Sequence, residues 1–460
     1  MDDGVMKSEI PQPPRIEHDS MGDVAVPAGA LYGAQTQRAV ENFPISRMRF
    51  TRPFLRALGI VKACAAQVNG QLGELPPHLA SAIEQAADEV AQGVHDAQFV
   101  VDVFQTGSGT STNMNANEVI ARLSHTHPND QVNRSQSSND VIPAAIHIAA
   151  AELATGQLLP AMGTLRQALD QKSRELWEVV KVGRTHLQDA VPIRFGQEFG
   201  GYARQVEACA ERVTLALDGI YELPLGGTAA GTGLNAPSGF GAAVARSLAQ
   251  RTGLPFREAR NHFEAQAARD AASFLSGALR TYAVALTKIA NDVRWLGSGP
   301  RCGIGELRLP ALQPGSSIMP GKVNPVIAEA VLMVCAQVIG HDATIAWACA
   351  AGNFELNTMM PVIAYDLLES IEILASATRT FAASCIQGLE ADRDRVQSLI
   401  EHSFVTATAL APEIGYERAA AIVQEAWQTG RTIRAVAEER SGLSSDKLSQ
   451  LLDPTQQVGG

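Results

Sequence analysis

The segment GSSIMPGKVNP, residues 315–325, concentrates several chemically useful side chains in one short loop. Its two glycines can adopt backbone angles that are closed to other residues, so main-chain N–H groups can turn toward a bound anion. Lys322 adds a full positive charge. Such a loop can hold a carboxylate and stabilise the further negative charge that forms when a proton leaves the adjacent carbon. Ser316 or Ser317 is the natural candidate for removing that proton.

Four further polar segments interrupt the chain, and each has the composition of an anion site rather than of a linker. TGSGTSTNMNANE, residues 106–118, and HPNDQVNRSQSSND, residues 127–140, place Ser, Thr and Asn side chains beside predicted helix starts. Hydroxyl and N–H groups at a helix N terminus favour a carboxylate. Ordinary helix capping uses the same residue types, so these two segments alone are compatible with either role.

The other two polar segments are GRTHLQDAVP, residues 183–192, and PLGGTAAGTGLN, residues 224–235. In the first, Thr185 and His186 stand side by side after a helix that is predicted to end near Lys181. A lone histidine is more often structural than catalytic, so His186 becomes a candidate only together with its neighbours. The four glycines of the second segment are too many for a helix interior and predict a mobile or tightly turned connector.

The composition indicates a large helical protein that acts on a small molecule. A chain of 460 residues has room for two or three domains, and an apolar fraction of 46% is enough for a large core. Aromatic residues make up only 5%, while alanine and leucine abound, which favours helix over sheet. The formal net charge of −11 argues against a nucleic-acid or anionic-membrane surface, because both require clustered Lys and Arg.

The cysteines and the N-terminal residues predict a cytoplasmic location. Six cysteines are scattered singly without metal-ligand spacing, and we interpret them as reduced, mostly buried thiols. The opening MDDGVMKSEIPQPP contains acidic residues and prolines where a secretion signal has a basic region followed by an apolar one. No run of about 18 consecutive apolar residues occurs, which argues by length against a transmembrane helix.

The polarity pattern divides the chain into three predicted domains. Residues 1–140 are predicted to form a mostly helical domain with ligand-binding loops, residues 141–392 a central helical bundle, and residues 393–460 a small C-terminal helical domain. Apolar stripes at helical spacing mark the central segment. So many stripes predict that some faces are covered by other copies of the chain, and therefore an oligomer. The stripes are Leu158, Met162, Leu165 and Leu169; Leu275, Leu279, Tyr282, Leu286 and Ile289; and Ile327, Val331, Val334 and Val338.

The order GSS-x-x-P-x-K-x-N resembles the signature of the fumarase/aspartase superfamily. Together with the other polar segments, the chain is similar to the class II fumarases from RIEHDSMG near Arg15 to the region near Gly415. This resemblance implies an all-α, three-domain subunit with a long central helical bundle. It also implies a homotetramer whose active sites combine loops from different subunits. The implied activity is the reversible, stereospecific hydration of fumarate to L-malate, a step of the tricarboxylic acid cycle.

The resemblance also implies a role for individual residues. Ser316 corresponds to the base that takes the C3 proton of malate, and His186 to the acid/base partner that acts through water on the hydroxyl group. Glu329 resembles the carboxylate partner of the histidine, which would orient the imidazole and raise its basicity. Lys322 corresponds to the cation that binds a substrate carboxylate. The implied substrate-binding residues are Ser108, Gly109, Thr110, Ser137, Ser138, Asn139, Thr185, Ser317, Lys322 and Asn324.

The chemistry explains why these residue types belong together. A proton beside a carboxylate is very weakly acidic, so the doubly charged aci-carboxylate needs preorganised donors and a cation before any side chain can form it. Serine is a poor base at its ordinary pKa, and the same positive loop must hold it as an alkoxide. This scheme requires no metal and no cofactor. The sequence also lacks an HExxH pair, a cysteine framework for an iron–sulfur cluster, and a nucleotide-binding glycine motif.

Three alternatives remain open at the level of sequence. Aspartate ammonia-lyase shares the signature loop and releases fumarate from L-aspartate; GTSTNMN and DAVPIRFGQEF resemble that enzyme. A catalytically silent relative would be expected to have lost the serine, histidine or lysine, and all three are present. An enzyme acting on larger adducts such as argininosuccinate would need a larger leaving-group pocket. The blocks that favour hydration are GAQTQR at residues 33–38, SQSSND with Ser138, LGGTAAGTGLN with Gly227, RWLGSGPRCGIGE at residues 294–306, and AGNFELN at residues 351–357.

The segment HPND matches a secondary dicarboxylate site of the same family through His127, Asn129 and Asp130. The chain between Glu118 and His127 is shorter than expected and lacks the usual arginine ahead of HPND. A second anion site and a simple turn of the chain are therefore both compatible with this segment.

Overall fold

The computed structural model of the chain describes residues 13–459. Most of the segment used above to argue against a secretion signal, residues 1–12, lies outside the described residues. Between residues 13 and 459 the chain forms seventeen α-helices and four two-stranded β-sheets. The predicted all-α class is therefore confirmed, with short strand pairs as its only sheet structure in this range.

Most of the described chain is α-helical. The α-helices are α1 Ala34–Asn42, α2 Arg52–Gln71, α3 Pro77–Gln92, α4 Thr110–Ser124, α5 Ser138–Leu153, α6 Leu159–Glu175, α7 Phe195–Ile220, α8 Phe240–Thr252, α9 His262–Ala267, α10 Asp270–Leu296, α11 Val326–Ala350, α12 Met360–Phe381, α13 Arg393–His402, α14 Ala411–Ile414, α15 Tyr416–Thr429, α16 Ile433–Arg440 and α17 Ser445–Leu451. Short 3₁₀ segments are Asp96–Gln98, Val405–Leu410 and Pro454–Gln456, and π-helical turns are Pro128–Val132, Ala154–Leu158 and Ala382–Ile386.

The strands are short and pair locally or with one partner segment. They are β1 Arg15–Asp19, β2 Gly22–Val26, β3 Val180–Thr185, β4 Gln188–Arg194, β5 Glu222–Leu223, β6 Arg257–Glu258, β7 Leu307–Arg308 and β8 Glu390–Ala391. The pairs β1–β2, β3–β4 and β7–β8 are antiparallel, whereas β5–β6 is parallel.

The chain folds into two compact units. The first comprises the chain up to Leu158 together with Arg212–Arg280 and Gln337–Ile373, and the second comprises Leu159–Glu211, Thr281–Ala336 and the chain from Leu374 onward. Within the first unit, α2 is the central helix and packs against α3, α5 and α8. Its sequence explains this position, because apolar and small residues cover nearly every face of the helix and Pro53 lies in its first turn.

The apolar stripes predicted from the sequence lie in the core. The stripe that leads into α6 and the stripe along α10 are fully buried. On α11, Val331 and Val338 are buried, while Ile327 and Val334 are half-buried. The spacing of three and four residues therefore identified the inward faces of these helices correctly.

The prediction that a helix ends near Lys181 is wrong. The helix α6 ends at Glu175, and Lys181 lies in strand β3. The β-branched residues Val179, Val180 and Val182 fit a pleated strand better than a helix and are buried. Lys181 itself is buried because its ammonium group forms ion pairs with Glu198 at 3.1 Å and with Glu306 at 3.2 Å.

The C-terminal region has a hydrophobic core of its own. Helices α15 to α17 and the 3₁₀ segment before α14 enclose a separate cluster of buried apolar residues. This cluster agrees with a small C-terminal domain, while the three-domain boundaries given above stay a prediction. Its members are Ala407, Leu410, Ala419, Ile422, Ala426, Ile433, Val436, Ala437, Leu448 and Leu452.

Two stretches of helix within residues 13–459 are long and apolar enough to cross a membrane by length and composition alone. The first, Ser138–Glu175, has a mean hydropathy of 1.3 and is 78% buried, as expected for core helices. The second is α11, with a mean hydropathy of 1.5 and only 22% of its apolar window buried. Met333 and Trp347 on α11 are 69% and 77% exposed. This helix therefore presents a large apolar face that the single chain does not cover.

Candidate active site

Within the first unit, the two hydroxyl-rich segments predicted to bind an anion lie side by side. Thr110 Oγ1 donates a hydrogen bond to Ser138 Oγ at 2.9 Å, and Ser108 Oγ lies 2.8 Å from Thr110 Oγ1. Thr110 is the first residue of α4, and Ser138 is the first residue of α5. Two helix N termini therefore present a continuous chain of hydroxyl groups, an arrangement suited to a carboxylate.

Close packing holds the loop before α4 in place. The Gly107 carbonyl accepts a hydrogen bond from Met360 N at 3.0 Å. A Cβ atom at residue 107 would lie 1.7 Å from the Thr358 carbonyl oxygen, so only glycine fits there. The approach of this backbone to the segment before α12 sets the position of Ser108 and of Gly109, which caps α4 with φ of 74°.

The segment Ser137–Asn139 is held by a capping box. The Ser137 side chain accepts a hydrogen bond from Asn139 N, and the Asp140 carboxylate accepts one from Ser137 N at 2.9 Å. The Asn139 side-chain amide donates to the Ala229 carbonyl at 2.8 Å. The glycine-rich segment 224–235 thus packs against the candidate site, and its left-handed residues, including Thr228 with φ of 54°, show a tightly turned connector.

In the second unit, the loop predicted to carry the base is closed by its own backbone. Gly315 N donates to the Lys322 carbonyl at 2.7 Å, and the Asn324 side chain donates to the Gly315 carbonyl at 2.7 Å. A Cβ at residue 315 would lie 2.7 Å from the Lys322 oxygen, so glycine is required. Ser316, Lys322 and Asn324 therefore lie in one closed loop, and their roles stay a prediction.

The Ser316 hydroxyl oxygen is a hydrogen-bond acceptor inside this loop. Ile318 N and Met319 N donate to Ser316 Oγ at 3.3 and 3.1 Å. Donors directed at an oxygen favour its negatively charged form. Ser316 is half-buried, while Ser317 and Lys322 are exposed. Within residues 13–459, no comparable pair of backbone N–H groups donates to the Ser317 hydroxyl. The geometry therefore favours Ser316 over Ser317 as the base.

Glu329 lies on the first turn of α11, directly after the loop. Its backbone N–H donates to the Pro325 carbonyl at 3.2 Å, so the helix begins directly after the segment 315–325. The Glu329 side chain is half-buried.

Thr185 and His186 occupy the tip of the hairpin formed by β3 and β4. Thr185 pairs with Gln188, which leaves His186 and Leu187 as the two turn residues, with φ of 56° and 60°. Two consecutive left-handed residues are the hallmark of a tight hairpin turn whose twist matches its strands. The side chains of residues 185–188 are all exposed. In the single chain, the hairpin therefore presents His186 to solvent.

Sequence reasoning missed the residue that anchors this hairpin. Glu306 is fully buried, and its carboxylate receives two hydrogen bonds from the Arg184 guanidinium, at 2.8 and 3.1 Å, besides the ion pair with Lys181. Burial opposes the charge of Arg184, but the hydrogen bonds to Glu306 and the negative charges of Glu306, Asp189 and Glu198 together outweigh burial and raise the pKa of Arg184. Lys181 and Arg184, close to Gly183, were the available signal in the sequence, since basic residues in a buried segment need an acidic partner. No residue near them identifies Glu306 as that partner.

The residues predicted for a second dicarboxylate site lie apart from the hydroxyl groups described above. His127 and Asn129 line a cavity of about 530 Å³, together with Arg15 and Arg122, and Asp130 does not line it. His127 caps this turn, because its Nδ1 accepts a hydrogen bond from Asp130 N at 3.1 Å, and the Asp130 carboxylate lies 3.2 Å from the same atom. Two arginines therefore reach this cavity, although neither stands directly ahead of HPND.

Models of protein families match most of the chain. A lyase family model matches residues 22–340, and a model of the fumarase C C-terminus matches residues 407–457. The class II fumarate hydratase of Mycobacterium tuberculosis is 57% identical over 441 residues, which are 95% of this chain and 93% of that protein. The class II fumarate hydratase of Xylella fastidiosa is 53% identical over 446 residues, or 96% and 94% of the two chains.

Solved structures agree with these relatives. The class II fumarase of Schistosoma mansoni superposes with a TM-score of 0.94 at 39% identity, covering 96% of this chain and 98% of that one. A fumarate lyase:delta crystallin from Brucella melitensis, bound to cobalt, superposes with a TM-score of 0.91 at 45% identity, with the same coverage. Among residues 13–459, no group of three or more His, Cys, Asp or Glu side chains is arranged to hold a metal ion.

Proposed function

This chain belongs to the class II fumarate hydratase family, and from that premise we propose which residues carry its reaction. The protein is a hydro-lyase that interconverts fumarate and L-malate. The observation that carries the assignment of the base is the Ser316 oxygen, which accepts two backbone N–H groups inside a closed loop that also carries Lys322. A serine oxygen in this setting has its anionic form stabilised before substrate binds.

In the direction of dehydration, Ser316 Oγ as the alkoxide removes a proton from C3 of malate. The electron pair moves into the adjacent carboxylate and forms the aci-carboxylate, whose second negative charge the Lys322 ammonium and the Asn324 amide stabilise. The electrons then return to form the C2–C3 double bond while the C2–OH bond breaks. His186, acting through a bound water, supplies the proton that lets hydroxide leave as water, and Glu329 orients its imidazole.

The dicarboxylate pocket is completed by hydroxyl and amide groups. We assign substrate binding to Ser108, Gly109, Thr110, Ser137, Ser138, Asn139, Thr185 and Ser317. The hydroxyl chain from Ser108 through Thr110 to Ser138 supports this assignment, because it lies at two helix N termini where an anion is stabilised. These groups give orientation as well as affinity, since a dicarboxylate must present one specific C–H bond to the base.

Four copies of the chain form the enzyme, and each active site combines residues from different copies. Two observations support this proposal. The apolar face of α11 is largely exposed in the single chain, as are Phe274 and Trp295 on α10, and an exposed area of this kind is characteristic of a protein interface. The hairpin tip also projects His186 into solvent, where a second chain can complete the site.

Light scattering of the purified protein is expected to give a mass of about four times the 48.8 kDa of the chain. Trp347→Glu should shift the protein to smaller species and lower its activity, because a charge would be placed on the apolar face of α11. Trp427→Glu is the matched control, since Trp427 is exposed to a similar degree, 73% against 77%, on α15 of the C-terminal region. A wild-type monomer with full activity would contradict the shared-site proposal.

The substrate is tested by following the ultraviolet absorbance of fumarate after metal chelation. Rapid formation of fumarate from L-malate, and none from L-aspartate, is the expected result, because the roles above need neither ammonia nor a metal. Release of fumarate and ammonia from L-aspartate would show that the aspartase-like segments decide the leaving group. Loss of activity on chelation that returns with added metal would contradict the metal-independent scheme.

Two further assignments follow from the same family. We assign a second dicarboxylate site to His127, Asn129 and Asp130, and the arginines Arg15 and Arg122, which line the same cavity as His127 and Asn129, support it. We also propose a cytoplasmic location. Six reduced cysteines, four of them buried, suit a reducing compartment.

A further inference from the structure

A buried lysine supports the segment that leads into the substrate-binding serines. Lys62 on α2 is fully buried, and its ammonium group donates to Asn133 Oδ1 and to Gln136 Oε1, both at 3.0 Å. Asn133 Oδ1 also receives the side-chain amides of Asn113 and Asn117 from α4, both at 3.2 Å. The four residues directly ahead of Ser137 are thus fastened to two helices of the first unit.

A buried carboxylate holds the other side of the same serines. Asp140 is fully buried, and its Oδ1 accepts the Ser137 N–H at 2.9 Å. Its Oδ2 accepts Gly226 N at 3.1 Å and Thr228 N at 3.0 Å, from a segment more than 80 residues away. One carboxylate therefore ties the start of α5 to the glycine-rich connector.

The connector is clamped from its opposite side as well. The Gln266 side chain donates to the Thr228 carbonyl at 2.6 Å, and His262 Nε2 lies 3.1 Å from the Leu225 carbonyl oxygen. Asn139 closes the arrangement, because its side chain donates to the Ala229 carbonyl. The connector and the start of α5 are consequently joined by several hydrogen bonds.

The charges of Asp140 and Lys62 depend on each other. Burial raises the pKa of Asp140 to about 6, and burial lowers the pKa of Lys62 to about 7, while each shift is opposed by the charge of the other group. Isolated buried charges are costly unless they are paired and hydrogen-bonded. The helix cap uses only Oδ1 of Asp140. Capping therefore does not explain the hydrogen bonds of Oδ2 to the connector or the burial of Lys62.

We propose that Asp140 is a positioning residue that holds Ser138, Asn139 and the connector 226–229 as one wall of the dicarboxylate site, while Lys62 holds the residues directly ahead of Ser137. The inference rests on the proposed function, since it takes Ser137–Asn139 as substrate-binding residues. Asp140 does not touch the substrate in this arrangement. It sets the distance between the hydroxyl groups at the start of α5 and the backbone of the connector.

Asp140→Asn is expected to raise KM for L-malate about tenfold and to lower kcat less than about threefold, because the reacting groups stay intact while their binding wall loosens. The neutral amide offers a single acceptor oxygen, so it cannot serve Ser137 and the connector together. Asp102→Asn is the matched control. Asp102 is also buried and accepts backbone N–H groups, from Ser46 and Phe104, but it holds a different loop. That control should lower thermal stability to a similar degree and leave KM within about twofold.

Lys62→Met provides a second, independent test. It removes one of the three donors to Asn133 Oδ1 and the Lys62 donor to Gln136 Oε1, together with the buried positive charge that favours ionised Asp140, so KM should rise at least about threefold. In the double variant the two effects should not add, because both act through the same wall. If Asp140→Asn does not fold, an unchanged KM in Lys62→Met is sufficient to overturn the inference.

Asn139→Ala separates failure of this inference from failure of the proposed site. A raised KM in Asn139→Ala, together with an unchanged KM in Asp140→Asn, overturns the positioning role and leaves the substrate-binding assignment intact. An unchanged KM in both variants contradicts the assignment of Ser137–Asn139 to the substrate site. If Asp140→Asn and Asp102→Asn lose the same stability and do not differ in KM, the Asp140 carboxylate has a purely structural role.

Discussion

Ser316→Ala is expected to lower kcat by about 10² to 10⁴-fold while changing KM less than about threefold, because a general base contributes to the transition state rather than to ground-state binding. The substitution removes only the hydroxyl oxygen that the N–H groups of Ile318 and Met319 now surround. The loop keeps its closing hydrogen bonds, which involve Gly315, Lys322 and Asn324 and not the serine side chain.

Steady-state kinetics with L-malate measure this effect directly. Ser317→Ala is the matched comparison, since it removes one oxygen from the adjacent residue of the same loop. We expect it to raise KM more than it lowers kcat, because Ser317 is assigned to binding. Turnover near the wild-type value in Ser316→Ala would show that another group takes the proton, and a large fall in kcat for Ser317→Ala alone would exchange the two roles.

His186→Asn is expected to lower kcat by about 10² to 10⁴-fold, because the hydroxyl group of malate then leaves without a positioned acid. Asparagine is chosen because residue 186 has φ of 56°, and asparagine tolerates this left-handed conformation better than most residues do. The hairpin should therefore keep its turn.

Leu187→Asn is the control for the shape of the hairpin. Leu187 is the second turn residue, with φ of 60°, and its side chain is exposed in the single chain. Since no catalytic role is assigned to it, kcat should change less than about threefold. Equal losses in the two variants would indicate that the tip matters for assembly rather than for proton transfer, and a mass measurement would then distinguish the two explanations.

The chemistry of the reactive loop was predictable because it is local. Residues 315–325 contain all of its parts. These are Gly315, which packs against its own loop, Ser316, which accepts nearby N–H groups, and Lys322. The inward faces of α6, α10 and α11 were predictable for the same reason, since a helix places residues three and four apart on one side. These features depend only on near neighbours in the chain.

The ion pairs and the distant hydrogen bonds were not predictable. Lys181 was assigned to a helix end, yet it lies buried in a strand, where Glu198 and Glu306, the latter 125 positions further on, form ion pairs with its ammonium group. The same carboxylate of Glu306 holds Arg184 and with it the hairpin that carries His186. Nothing in the residues around Lys181 specifies these partners.

The sequence by itself therefore determined the family and the helical class, because local spacing and residue type are sufficient for both, and it supplied the candidate reactive side chains. Only the tertiary structure decided how those side chains are held: Ser108 and Thr110 beside Ser138, the glycine-rich connector on Asp140, and the hairpin on Glu306. The physical reason is that a buried charge or hydroxyl group must find its partner wherever the fold places one. That partner can come from any part of the chain.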